Sequence, residues 1–108
     1  MLFPKPKKKE KQKRNRERDL NYLRWVHGFK CCICGAYPVH AHHVVSRGAM
    51  GSDRTAIPLC PEHHLRWVHG KGRETTEKHY QISFDKIVKE MNELFDNGVK
   101  GPNHHLIP

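Results

Sequence analysis

The sequence predicts a small α+β domain, and three observations point there. A Cys-x-x-Cys pair at Cys31 and Cys34 is answered by a Cys-x-x-His pair at Cys60 and His63. Two short, β-rich runs lie between those pairs, and amphipathic helical runs flank them. Four such ligands, presented two at a time from tight turns, are what a tetrahedral zinc ion requires. A staple of this kind suits a chain of 108 residues that is only 36% apolar, because about 70 to 80 residues are left for the core, a size at which a metal often replaces missing hydrophobic area.

The organisation expected is a disordered basic arm over residues 1–18, a domain over 19–98 and a tail over 99–108. The arm holds nine of the chain's 20 lysines and arginines but only Glu10 and Glu17 of its 11 acids, so most of the net charge of +9 belongs to it. Lys7, Lys8, Lys9, Lys11, Lys13 and Arg14 are candidates for contacts to a nucleic-acid backbone, made without reading sequence and weakened by salt. A solubilising tail or a nuclear-import signal would share that composition. Two disulfides are the other use of four cysteines. The lysine-rich N-terminus lacks an apolar signal stretch, however, and no run nears the roughly 18 apolar residues of a membrane span. A reducing, cytoplasmic setting with metal-bound thiolates is therefore expected.

The elements follow in order. From about Asp19, Leu20, Leu23, Trp25 and Val26 recur at helical spacing until Gly28, and their aromatic rings are expected to pack in the core. Cys31 to Gly35 reads as a zinc knuckle, with Gly35 free to take the positive φ that such a turn needs. Val39 to Val45 reads as a strand, residues 46–55 as an exposed loop, and Ala56-Ile57-Pro58-Leu59 as a returning strand whose proline confines it to an edge or strand end. Cys60 is expected to cap a helix with Pro61 and Glu62 in its first turn, running to about His69. Ser83 is expected to cap a last helix through Phe95, with Ile87, Val88, Met91, Leu94 and Phe95 on one face and Asn97-Gly98 at its end. His104 and His105 in the tail have no partner pattern.

Between and beside the zinc half-sites lie further histidines: Ala41-His42-His43-Val44-Val45, and His64 directly after His63. Together with Cys31-x-x-Cys34 and Ile57-Pro58-Leu59-Cys60-Pro61-Glu62-His63-His64, this pattern resembles the HNH endonuclease family, whose core is a ββα-metal unit. It is most similar to phage RecA-dependent recombination-enhancing nucleases and related phage HNH proteins, on two further matches. One is Tyr22-Leu23-Arg24-Trp25-Val26 before the first cysteine pair; the other is Met50-Gly51-Ser52-Asp53 leading to Pro58-Leu59-Cys60. The resemblance covers roughly residues 20–70. It implies a zinc-stapled ββα-metal core with flanking helices, hydrolysis of DNA phosphodiester bonds to a 5′-phosphate and a 3′-hydroxyl, and DNA as partner. A recombinase filament is a second partner that it suggests.

The same resemblance makes His42 and His64 ligands of a second, catalytic metal and His43 the general base. Adjacent helical residues point about 100° apart, which lets His63 turn to zinc while His64 turns to the cleft. A neutral imidazole suits proton removal from water at neutral pH. Imidazole ligands are compatible with Mn²⁺, Ni²⁺ or Zn²⁺, whereas Mg²⁺ would lean on oxygen ligands and the substrate phosphate. In a regular strand, however, His42 and His43 point to opposite faces. The family's middle Asn is replaced by Thr55, and nearby Asp53 could orient His43 or complete the metal shell; the residues leave that choice open. His69 is a weaker third ligand, because it stands five residues after His64 and helical ligand pairs prefer a spacing of four. Arg47, Arg54, Arg66 and Lys71 flank the motif as candidate phosphate contacts.

A zinc-stabilised nucleic-acid-binding module without catalysis accounts for the charge and four ligands but leaves His42, His43 and His64 unused. The 25 residues between Cys34 and Cys60 exclude the familiar finger with about 12. A redox role for Cys31-x-x-Cys34 lacks a thioredoxin-like strand–helix alternation. Cys32 is read as packing, with exchange for Cys31 as its alternative. A partner-dependent accessory nuclease shares the same chemistry and differs in regulation.

Overall fold

The computed structural model describes residues 18–45 and 51–101. The arm candidates Lys7, Lys8, Lys9, Lys11, Lys13 and Arg14, together with Arg47, His104 and His105, lie outside the described residues. The element order is helix α1 (Leu20–Val26), strand β1 (His40–His43), a 3₁₀ turn (Asp53–Thr55), strand β2 (Ala56–Leu59), a π-helix (Glu62–His69), and helices α2 (Arg73–Tyr80) and α3 (Phe84–Asp96). The result is a small α+β fold around a two-stranded antiparallel sheet. No helix among the described residues is long and apolar enough to cross a membrane.

The hairpin register pairs His40 with Leu59, Ala41 with Pro58, His42 with Ile57 and His43 with Ala56. Strand side chains alternate, so His40, His42, Ile57 and Leu59 share one face, and Ala41, His43, Ala56 and Pro58 the other. Ile57 and Leu59 enter a core with Cys31, Cys60, Val68 and Phe84. Ala56 enters a second core with Tyr22, Trp25, Val26 and Met91. All of β2 is buried, whereas β1 is half-buried along its length, which leaves its imidazoles within reach of solvent. β1 is shorter than the seven residues expected: the Val39 carbonyl faces His27 Nδ1 at 3.1 Å, while Val44 N–H still donates to the Thr55 carbonyl beyond the strand.

Asp19 caps α1 by accepting from Tyr22 N–H, and Ser83 caps α3 by accepting from Lys86 N–H. Tyr22 and Trp25 are buried among aromatic neighbours, with Phe95 against both rings. Trp25 Nε1–H donates to the Val99 carbonyl at 2.6 Å, tying the segment after α3 back to α1. α2 is almost wholly polar. Gly72 starts it at φ 101°, a value that favours glycine, and buried Thr76 donates to the Gly72 carbonyl.

Candidate functional site

Two groups of metal-competent side chains stand on this frame. The first is Cys31, Cys34, Cys60 and His63, whose ligand atoms all lie within 4.8 Å of one another. Gly35, at φ 77°, turns the knuckle so that its N–H returns to the Cys31 carbonyl, and Cys32 N–H ties it to the Pro58 carbonyl of β2. Sγ of Cys34 and Cys60 are 3.7 Å apart, and His63 Nδ1 is 3.2 Å from Cys60 Sγ and 3.7 Å from Cys31 Sγ. Tetrahedral zinc with Zn–S near 2.3 Å has S···S edges of about 3.8 Å, so the spacing and the donor set both fit. This cluster could hold a metal ion such as zinc.

The surroundings shift two of these thiols in opposite directions. Burial works against the Cys31 thiolate, yet N–H groups of Cys60, Cys34 and Ile33 hold its pKa below the ordinary thiol value. Removal from water pushes Cys34 up to about 11, with the neighbouring sulfurs adding to it, so a cation at the centre would displace protons. Cys32 takes no part: it packs against the core, and burial lifts its thiol to about 12. His63 turns its other nitrogen, Nε2, to Tyr80 Oη at 3.0 Å, an anchor that fixes the ring for coordination through Nδ1. Sequence reasoning passed over Tyr80, since nothing in the polar run of α2 marks it.

The second group is His42, His64 and His69, again with ligand atoms within 4.8 Å of one another. In an α-helix, five residues turn through about 500°, which would carry His69 some 140° away from His64. Here the segment is wound as a π-helix, with Gly72 N–H reaching the Trp67 carbonyl five residues back. A π-helix winds more residues into each turn than an α-helix, so residue i+5 comes back closer to the face of residue i. His69 Nε2 consequently lies 3.1 Å from His64 Nε2. The spacing of five that made His69 the weaker candidate in an α-helix is brought back toward one face by this winding. Burial, with His64 and His69 adding to it, pushes His42 down to about 4. Burial, then His69 and His40, pushes His64 down to about 4 as well. Both imidazoles are thus neutral at pH 7 and offer lone pairs.

His43, the last residue of β1, faces away from that group, as strand alternation demands. Its Nε2 lies 2.8 Å from Oδ1 of Asp53, which is fully buried. The other carboxylate oxygen accepts from Asp19 N–H at 2.7 Å and lies 3.7 Å from Arg18 Nε. The carboxylate accepts and Nε2–H donates, which leaves the lone pair on Nδ1. Thr55 instead donates its hydroxyl to the Ser52 carbonyl at 2.9 Å, with the Val45 carbonyl farther off at 3.4 Å. Of the two candidates left open by the sequence, Asp53 is the one in contact with His43.

Three of the flanking cations fall among the described residues. Arg54 Nε–H donates to Asn92 Oδ1 at 2.6 Å and Nη2–H to Asp96 Oδ1 at 2.8 Å, with the guanidinium over the rings of Tyr22 and Phe95. It joins the 3₁₀ turn to α1 and α3. Arg66 is exposed beside Glu62 at 3.6 Å, and Lys71 Nζ lies 4.8 Å from the centre of the Trp67 ring. The residue missed on the hairpin is His40, whose Nδ1 is 2.9 Å from Nδ1 of His64. Its signal was present: two residues before His42 on a strand, it must share that face.

No curated protein and no solved structure matches the chain. The family described as Protein of unknown function (DUF968) matches residues 3–98, nearly the whole of the chain, and the protein belongs to that family.

Proposed function

We propose that the protein is a metal-dependent endonuclease of the HNH type that hydrolyses DNA phosphodiester bonds, its hairpin and π-helix forming a ββα-metal core. The observation that carries this reading is the pairing, on consecutive residues of one strand, of a three-imidazole group with a carboxylate-held histidine. Each has a task in phosphodiester hydrolysis, and a purely structural zinc module needs neither.

His43 takes the proton from the attacking water at Nδ1, while Asp53 holds the ring and stabilises the imidazolium that forms. Because His43 ends its strand and its ring stays partly exposed, a phosphate can be approached around the strand end. His42, His64 and His69 would hold a divalent ion, which when bound supplies charge to offset that of the phosphate and the departing oxygen. Their all-nitrogen donor set favours Mn²⁺, Ni²⁺ or Zn²⁺ over Mg²⁺. The four-ligand cluster beside them keeps the hairpin and the π-helix in register. The basic arm adds attraction for DNA without sequence preference, and a recombinase filament remains the candidate protein partner.

The test is incubation of the zinc-loaded protein with supercoiled plasmid and with single-stranded DNA, adding Mg²⁺, Mn²⁺ or Ni²⁺ in turn. Cutting that depends on the added metal is expected. DNA binding without cutting under every condition, including with a recombinase filament, would favour the non-catalytic module.

A further inference from the structure

Three of the four imidazoles that meet on this face have been given a task; His40 has not. Its ring meets that of His64 nearly at right angles, with centroids 5.1 Å apart and the two Nδ1 atoms 2.9 Å apart. The opposite nitrogen of His64, Nε2, lies 3.1 Å from Nε2 of His69. The His64 ring is therefore bracketed, each nitrogen facing another imidazole.

A neutral imidazole has one N–H and one lone pair. For His64 to offer a lone pair at Nε2, beside His69 and His42, its hydrogen must sit on Nδ1. The atom facing that hydrogen, His40 Nδ1, must then accept, which places the hydrogen of His40 on its own Nε2. We infer that His40 is the positioning residue of the three-histidine group: it accepts from His64 Nδ1–H and so fixes the tautomer and ring plane in which His64 Nε2 can ligate a metal. This inference rests on the metal-binding role proposed for His42, His64 and His69. Histidine ligands are ordinarily anchored through their second nitrogen. At the four-ligand cluster Tyr80 anchors His63 in this way, and His40 is its counterpart for His64.

The test is calorimetric titration of Ni²⁺ or Co²⁺ into protein already holding one zinc per chain, comparing wild type, His40→Leu and His40→Asn. Leucine keeps bulk but removes the acceptor, and binding should weaken about 10- to 100-fold. Asparagine can present Oδ1 near the position of Nδ1, and binding should stay within about threefold of wild type. Unchanged affinity in His40→Leu would overturn the inference, and so would an asparagine variant as weak as the leucine one, since bulk rather than the acceptor would then matter. If wild type takes up no second ion, the metal role of the three histidines falls, and long-range ¹⁵N–¹H spectra of the histidines decide the rest. A single His64 tautomer that becomes a mixture in His40→Leu upholds the contact; a tautomer indifferent to the substitution removes it.

Discussion

His43 Nε2 and Asp53 Oδ1 are 2.8 Å apart, and the carboxylate is sealed from solvent while the imidazole stays partly open. That asymmetry suits a base: the exposed ring can meet a substrate, and the buried anion steadies the charge the ring acquires. Asp53→Asn keeps the shape and can still accept from Asp19 N–H, but it removes the anion. DNA cleavage should fall about 100-fold or more at unchanged zinc content and unchanged circular dichroism, as a single-turnover cleavage assay would record. Cleavage within twofold of wild type would show that the pair is not catalytic.

The four-ligand cluster should be indispensable to folding. Structural zinc contributes on the order of 10 kcal/mol in small zinc domains, comparable to the whole stability of a domain this size. Cys60→Ser, or a strong chelator, should abolish the cooperative thermal transition by calorimetry. Cys32→Ser should leave zinc at one per chain.

Much of this was legible because local signals agreed with tertiary ones. The zinc half-sites follow from spacing, β2 from its β-branched Ile57 with Pro58 near its end, and α3 from its cap at Ser83 and its apolar face. α2 was not legible: Arg73–Tyr80 has no apolar stripe, and it is held by Thr76, by Gly72 and by packing on the π-helix. Nor was the π winding, because hydrogen-bond register leaves no mark in hydrophobic periodicity; the discount on His69 followed directly. The choice between Asp53 and Thr55 needed the loop's three-dimensional path, since either residue could have faced His43 from sequence alone.

Acid should weaken the metal-free three-histidine face. His42 and His64 are pushed from the ordinary 6.5 down to about 4, so the unfolded chain takes up protons before the folded one. Their contribution is complete above about pH 6.5 and is lost as pH falls toward 4. Urea unfolding between these values should show stability rising with pH, and the slope should flatten in His42→Gln/His64→Gln. An equal slope in that variant would assign the effect to other groups.

Arg54 should behave as a structural residue. Its bonds to Asn92 and Asp96 and its stacking on Tyr22 and Phe95 join three elements. Arg54→Ala should cost about 1.5–3 kcal/mol in denaturant unfolding, with DNA affinity at low salt nearly unchanged. A large loss of DNA affinity at preserved stability would return it to the role of phosphate contact.

The most direct test compares plasmid cleavage by wild type and His43→Ala in Mn²⁺ or Ni²⁺, with zinc and second-metal content measured on both. The account predicts a rate about 10²- to 10⁴-fold lower in the variant at equal metal occupancy. Equal rates at equal occupancy would contradict the assignment of His43 as the base.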